Sequence, residues 1–185
     1  AFSTFFDPRF QGLPTSEISD VGPPSVWVES VNGGLPSLQG QSATLDTYFD
    51  INSIPGYGRF EFCGLTLETV STIHVNGGRH VFPSFGLFFD VGEHSVFLTT
   101  DTQFVPYLIQ DFYDRATVIL QDCETAPYKS GVHAHYEDLC TLPDDIKAKM
   151  WLYHYQGAFE DLPDAKADGF RGFLKKGQTL TFEDQ

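Results

Sequence analysis

The segment that most constrains this chain lies at residues 103 to 120. Apolar side chains at 104, 105, 108, 109, 112 and 113 recur at helical spacing, so one stripe of a helix faces a core. After Asp114-Arg115 comes the short, uncharged run Ala116-Thr117-Val118-Ile119-Leu120. Such a short, continuous, β-branched run predicts a strand buried on both faces, and therefore a sheet with cover on each side.

Further strands fit around it. Phe60-Glu61-Phe62 alternates as a strand, Gly64 turns the chain, and Leu65 to Val75 reads as a second strand. Phe85 to Val91 is an aromatic strand, turning at Gly92-Glu93 into Ser95-Val96-Phe97-Leu98. His133 to Cys140 predicts a short helix. Pro143 opens another helical turn, Asp144 to Lys149, with acids first and lysines later as the helix dipole prefers. Met150-Trp151-Leu152-Tyr153 is a further strand, and Gly169 to Leu174 with Gln178 to Phe182 predicts a hairpin around Lys175-Lys176-Gly177. Residues 12 to 58, punctuated by Pro14, Pro23, Pro24, Pro36 and Pro55, predict short strands such as Val26-Trp27-Val28 joined by long loops.

At 185 residues the chain is sized for a single domain, and 41% hydrophobic against 19% charged residues excludes disorder. The net charge of −14 disfavours a broad nucleic-acid or anionic-membrane face. Cys63, Cys123 and Cys140 match neither a zinc knuckle nor a disulfide framework, which points to a reducing compartment. With no apolar run of membrane-spanning length and no signal-peptide pattern, the expectation is a soluble, cytoplasmic protein. The first residues are unusual for a terminus. Phe2, Phe5, Phe6 and Phe10 crowd a stretch that is ordinarily polar, as if the chain starts inside a domain.

Function is foreshadowed where the strands end. Ile73 runs into His74, Leu98 into Thr99-Thr100-Asp101-Thr102, Leu120 into Asp122-Cys123-Glu124, and Tyr153 into His154. Carboxyl ends of strands in covered sheets gather around one crevice. Imidazoles with carboxylates suit zinc, manganese or iron rather than calcium. Blander readings stand beside these: a lone histidine at a strand end is commonly structural, Asp101 among threonines can be a turn residue, and Asp122 and Glu124 can be an acid-base pair or solvated loop acids. His80 and His94 read as surface residues.

In this order, His74, Thr99-Thr100-Asp101-Thr102, Asp122-Cys123-Glu124, Ser130-Gly131-Val132-His133-Ala134-His135 and Trp151-Leu152-Tyr153-His154-Tyr155 resemble the later motifs of the metallo-β-lactamase-fold hydrolases, above all the ribonuclease Z-like and phosphodiesterase-like branches. The likeness runs from about residue 58 to the end and more loosely back to Val26. The resemblance implies an α+β fold, a metallo-β-lactamase-like αββα sandwich over residues 1–185, incomplete because its N-terminal strands are missing. It implies His74 as the isolated ligand of one metal, Asp101 as the bridging carboxylate and His154 as the last ligand of a second. It also implies that Glu124 and His133 protonate the leaving oxygen, with His135 a rival for His133 and helix capping an alternative role for it. The family's His-x-His-x-Asp-His motif, source of four ligands, does not occur in this sequence.

The implied activity is metal-dependent hydrolysis of a phosphodiester or cyclic nucleotide by metal-activated water, incomplete in this chain alone. The cofactor is a divalent transition metal, zinc first, manganese or iron otherwise. The other hypothesis is a catalytically inactive binding or assembly module on the same fold. The implied partners are a small-molecule or nucleotide phosphodiester and, over the incomplete face, an upstream polypeptide or a second copy.

Overall fold

The computed structural model describes residues 19–21, 52–54, 57–78 and 81–182. The expected Val26-Trp27-Val28 strand, the phenylalanines of the first ten residues and His80 lie outside the described residues. The chain divides into two compact units, Ala1–Gly58 and Arg59–Gln185. In the first, β1 (Ser19–Val21) pairs in parallel with β2 (Asn52–Ile54).

The second unit is built on a seven-stranded sheet. Its strands, in order across the sheet, are β3 (Arg59–Phe62), β4 (Leu65–Asn76), β5 (Val81–Val91), β6 (His94–Leu98), β7 (Val118–Asp122), β8 (Met150–Tyr153) and β9 (Gly172–Phe173). Neighbours from β3 to β6 are antiparallel, as tight turns at Gly64 and Gly92 allow, and both glycines adopt the left-handed φ such turns need. From β6 to β9 they are parallel. The first crossover is helix α1 (Pro106–Arg115); Pro106 occupies its first turn, where a missing N–H costs nothing.

The helical stripe does what its spacing predicts. Ile109 and Tyr113 are buried one turn apart, and they join Phe97, Ile119, Met150 and Leu152, all 0% exposed strand residues, in one core. Tyr113 Oη donates to Gln121 Oε1 at 2.6 Å, and Gln121 Nε2 donates to the Asp122 carbonyl at 2.9 Å. The helix thereby braces the end of β7. Helices α2 (Tyr136–Leu139) and α3 (Asp144–Lys147) add Leu139 and Ile146 to the same core.

Several expectations need correction. β7 ends at Asp122 rather than Leu120, so that carboxylate belongs to the sheet and not to the loop beyond. α2 begins at Tyr136, and its N-cap is His135 rather than His133. The C-terminal hairpin does not form. Residues 178–182 make no strand, and β9 pairs in parallel with β8, extended by bonds from the Arg171 amide to the Met150 carbonyl and from the Leu174 amide to the Leu152 carbonyl. All three cysteines are free, with Cys123 buried. Among the described residues no helix is long and apolar enough to cross a membrane.

Candidate metal and proton-transfer site

The parallel strands end side by side, and their last residues meet. Asp122, the final residue of β7, has a side chain 0% exposed. Such a carboxylate must be fully hydrogen-bonded to remain ionised. It is. Oδ2 accepts the Thr102 amide at 2.9 Å and His133 Nδ1 at 2.7 Å, and Oδ1 accepts His154 Nδ1 at 3.0 Å. Thr99 Oγ1 in turn accepts the Asp122 amide at 3.0 Å.

The backbone on either side is strained to reach this arrangement. Thr100, just past β6, has φ 55°, and His154, just past β8, has φ 67°. Left-handed backbone is costly for a β-branched or bulky side chain and persists where the surroundings over-determine it. Here it turns Asp101 and His154 towards each other, with Asp101 Oδ1 3.8 Å from His154 Nδ1.

Electrostatics follow from the bonding. Burial alone would raise the Asp122 carboxyl, but the bonds from His133, His154 and the Thr102 amide outweigh it and hold its pKa below the usual value. His133 is raised, chiefly by its bond to Asp122, against an opposing loss of solvation. His154 is raised for the same reason. A helix start would have lowered His133; its place before α2 and beside Asp122 reverses the expected direction.

Each residue anticipated from sequence has a definite place. Asp101, His133 and His154 come together around Asp122. His74 reaches the same region from the other half of the sheet: it sits at a register shift between Ile73 and Val75, and its ring centroid lies 5.1 Å from that of His133. Among the described residues, Asp122, His133 and His154 are close enough to share one cation, their candidate ligand atoms all lying within 4.8 Å of one another. That set overlaps the expected His74, Asp101 and His154 only at His154.

Glu124 is not the partner of His133. Its carboxylate accepts the Ser130 amide at 2.9 Å, and its backbone bridges to His135. His135 is occupied at both nitrogens, Nδ1 accepting the Glu137 amide at 3.3 Å and Nε2 donating to the Ala126 carbonyl at 3.0 Å, a pairing that one neutral tautomer satisfies. It thereby clasps the loop. Asp122, weighed from sequence only as one of an acid pair with Glu124, is the carboxylate at the centre of this cluster. Its parity with Val118 and Leu120 is shared by Glu124, so alternation alone does not separate the two acids.

Comparisons with known proteins bear on the family and the fold. A family profile described as anti-Pycsar protein Apyc1 matches residues 1–180. The Apyc1 protein of Bacillus phage vB_BsuM-Goe3 is 28% identical over 169 residues, covering 86% of this chain and 59% of the relative. That of Paenibacillus harenae is 28% identical over 157 residues, covering 84% and 60%. The chain thus spans about three-fifths of the length of these curated relatives.

Solved structures agree on the fold. YhfI from Bacillus subtilis, titled a metallo-beta-lactamase fold protein, superposes with a TM-score of 0.55 at 16% identity, over 80% of this chain and 61% of that one. A diphosphatase from the PhnP family gives 0.54 at 18%, over 75% and 51%. Unliganded yeast PDE1 gives 0.56 at 8%, over 81% and 56%. The α+β architecture is that of the metallo-β-lactamase fold, and the chain belongs to the anti-Pycsar protein Apyc1 family.

Proposed function

We propose that this chain carries the proton-transfer half and part of the metal site of a phosphodiesterase acting on a small phosphodiester, with a cyclic nucleotide as the preferred substrate class. The observation that supports it most is the buried carboxylate of Asp122, bonded to Nδ1 of two imidazoles. A histidine whose Nδ1–H is donated to a carboxylate has its tautomer fixed, which leaves Nε2 as the nitrogen for a ligand or a transferable proton. On this reading, residues 1–185 belong to one metallo-β-lactamase-like domain.

The donor set fits a divalent transition metal, zinc before manganese or iron. Asp101 Oδ1 lies 3.8 Å from the His154 Nδ1 that Asp122 holds, so the Asp101 carboxylate borders the ring whose Nε2 is open to an ion about 2.0 to 2.2 Å away. Asp101 and His154 would hold the metal, with His74 a further candidate through its Nε2. When bound, the ion supplies hydroxide from water at neutral pH and neutralises charge on the phosphoryl oxygens.

The chain's own residues do the rest. Asp122 orients His154 and His133 together. Asp122 raises the pKa of His133 and so favours its doubly protonated form, which gives the Nε2 proton to the leaving oxygen and returns to the neutral tautomer. The net charge of −14 disfavours extended nucleic acid and favours a small substrate held at a local cationic centre.

The test is hydrolysis of a 3′,5′-cyclic nucleotide and of bis(p-nitrophenyl) phosphate, with and without chelator. With a His-x-His-x-Asp-His segment restored upstream, turnover that chelation abolishes and zinc or manganese restores is the expected result, whereas this chain alone should hydrolyse poorly or not at all. A protein that binds the nucleotide but never hydrolyses it, with any of these metals, would favour the inactive binding module.

A further inference from the structure

We propose that Gln103, acting with His74, is a positioning residue that fixes the backbone just ahead of His133 and so sets where that histidine delivers its proton; this rests on His133 being the acid. The segment Ser130–His133 crosses the site as a loop between β7 and α2. Its two carbonyls immediately before His133 are each held from a different element. Gln103 Nε2 donates to the Gly131 carbonyl at 2.6 Å, and His74 Nδ1 donates to the Val132 carbonyl at 3.2 Å.

The anchors are themselves tied to the carboxylate. Thr102, whose amide binds Asp122 Oδ2 at 2.9 Å, also donates from Oγ1 to the Ile73 carbonyl at 3.2 Å. The Gln103 amide donates to that same carbonyl at 2.8 Å. Residues 102 and 103 therefore fix the carboxylate that orients the acid, the strand end that carries His74, and the loop that carries His133.

The latch matters because one hydrogen bond does not fix a ring. An imidazole bonded only through Nδ1 can swing about that bond, and the position of its Nε2 then depends on where the backbone holds Cα. Gly131, at φ 76°, lends this loop a conformation open mainly to glycine and gives it a wide range of alternatives if released. Misplacing a reacting group by about 1 Å can cost about 100-fold in rate.

Gln103 is the cleaner member to test, because a carboxamide is a poor ligand for the metals considered, whereas His74 keeps Nε2 available for one. Gln103→Met preserves length without the donor, and Gln103→Lys preserves a donor. A p-nitrophenolate leaves without help near neutral pH, whereas the ribose alkoxide of a cyclic nucleotide needs a proton. With a His-x-His-x-Asp-His segment restored upstream, Gln103→Met should lower kcat on the cyclic nucleotide by about tenfold or more with little change in KM, leave bis(p-nitrophenyl) phosphate turnover within about twofold, and recover in Gln103→Lys. It should also broaden or shift the low-field proton NMR signal of the His133 Nδ1–H, and zinc stoichiometry should stay unchanged.

An equal loss on both substrates, or an unchanged NMR signal, overturns the proposal. His133→Ala separates the two layers. If it shows no leaving-group dependence, the acid assignment fails, and the Nδ1–H signal alone then decides whether Gln103 positions the ring.

Discussion

Strands β3 to β6 run antiparallel and β6 to β9 run parallel, and the two halves of this one sheet do different work. The antiparallel half is long and partly wet: β4 and β5 span 12 and 11 residues, and Val81 and Phe82 remain 53% and 56% exposed. The parallel half is short and dry, with Ile119, Met150 and Leu152 at 0%. Parallel strands need crossovers, and those crossovers cover the sheet. They also send successive carboxyl ends to one edge, which is why Asp101, Asp122 and His154 meet there. The antiparallel half reaches the site through the irregularity at His74.

If function is concentrated at the parallel edge, its buried carboxylate should be the most costly residue to change. Asp122→Asn keeps the volume but loses the charge and one acceptor, and turns a group that holds two Nδ1–H donors into a poor match for one of them. With a His-x-His-x-Asp-His segment restored upstream, the expected loss in kcat on a cyclic nucleotide is about 10² to 10⁴-fold. Retention of more than a tenth of the activity, measured at saturating substrate and metal, would separate the carboxylate from the chemistry.

Stability should divide along the same line. Leu152→Ala empties space in the parallel core and should cost about 2 to 5 kcal/mol in urea unfolding, whereas Val81→Ala should stay within about 0.5 kcal/mol. Comparable losses at the two positions would mean that the wet half is buried in solution by something the fold alone does not supply.

The same contrast governs what was legible in the amino acids. Local alternation and β-branching mark β3, β4, β5 and β8, and the stripe at 104 to 113 marks α1, because those patterns depend on neighbours close in sequence. Pairing between distant strands leaves no such mark. Gly169 to Leu174 alternates as well with an imagined hairpin partner as with its true neighbour β8, so the parallel β9 was hidden. The gathering of strand ends was readable from polar residues after apolar runs. The choice between Asp122 and Glu124 was not, since it turns on whether β7 stops before or after Asp122. One residue of strand length decides which acid enters the site and which one holds Ser130.

One position in the antiparallel half should behave like the dry half. At Gly86 a Cβ would lie 2.7 Å from the Leu98 carbonyl and 3.2 Å from that of Thr99, backbone atoms that cannot rotate away. Gly86→Ala must push β5 from β6, at a cost of about 1 to 3 kcal/mol. Because Thr99 leads directly into Asp101, the shift should also weaken metal binding. Loss of stability without any change in metal affinity would show that the strand end is insulated from its neighbour.

The smallest effect should come from the outer edge of the antiparallel half. Arg59 Nη2 lies 3.1 Å from Glu68 Oε2, and Arg115 Nη2 lies 3.5 Å from the same oxygen. Arg59 is 68% exposed, so water and salt screen its attraction, and Glu68 keeps a second cation if it is removed. Arg59→Ala should therefore cost at most about 1 kcal/mol and nothing measurable in 1 M salt. Arg115→Ala should cost more, because its guanidinium also lies 4.4 Å from the centre of the Phe88 ring and covers apolar surface there. Salt should leave that packing share intact. If both arginines lose their effect together in high salt, the Phe88 contact contributes nothing, and the antiparallel edge is held by its backbone ladder alone.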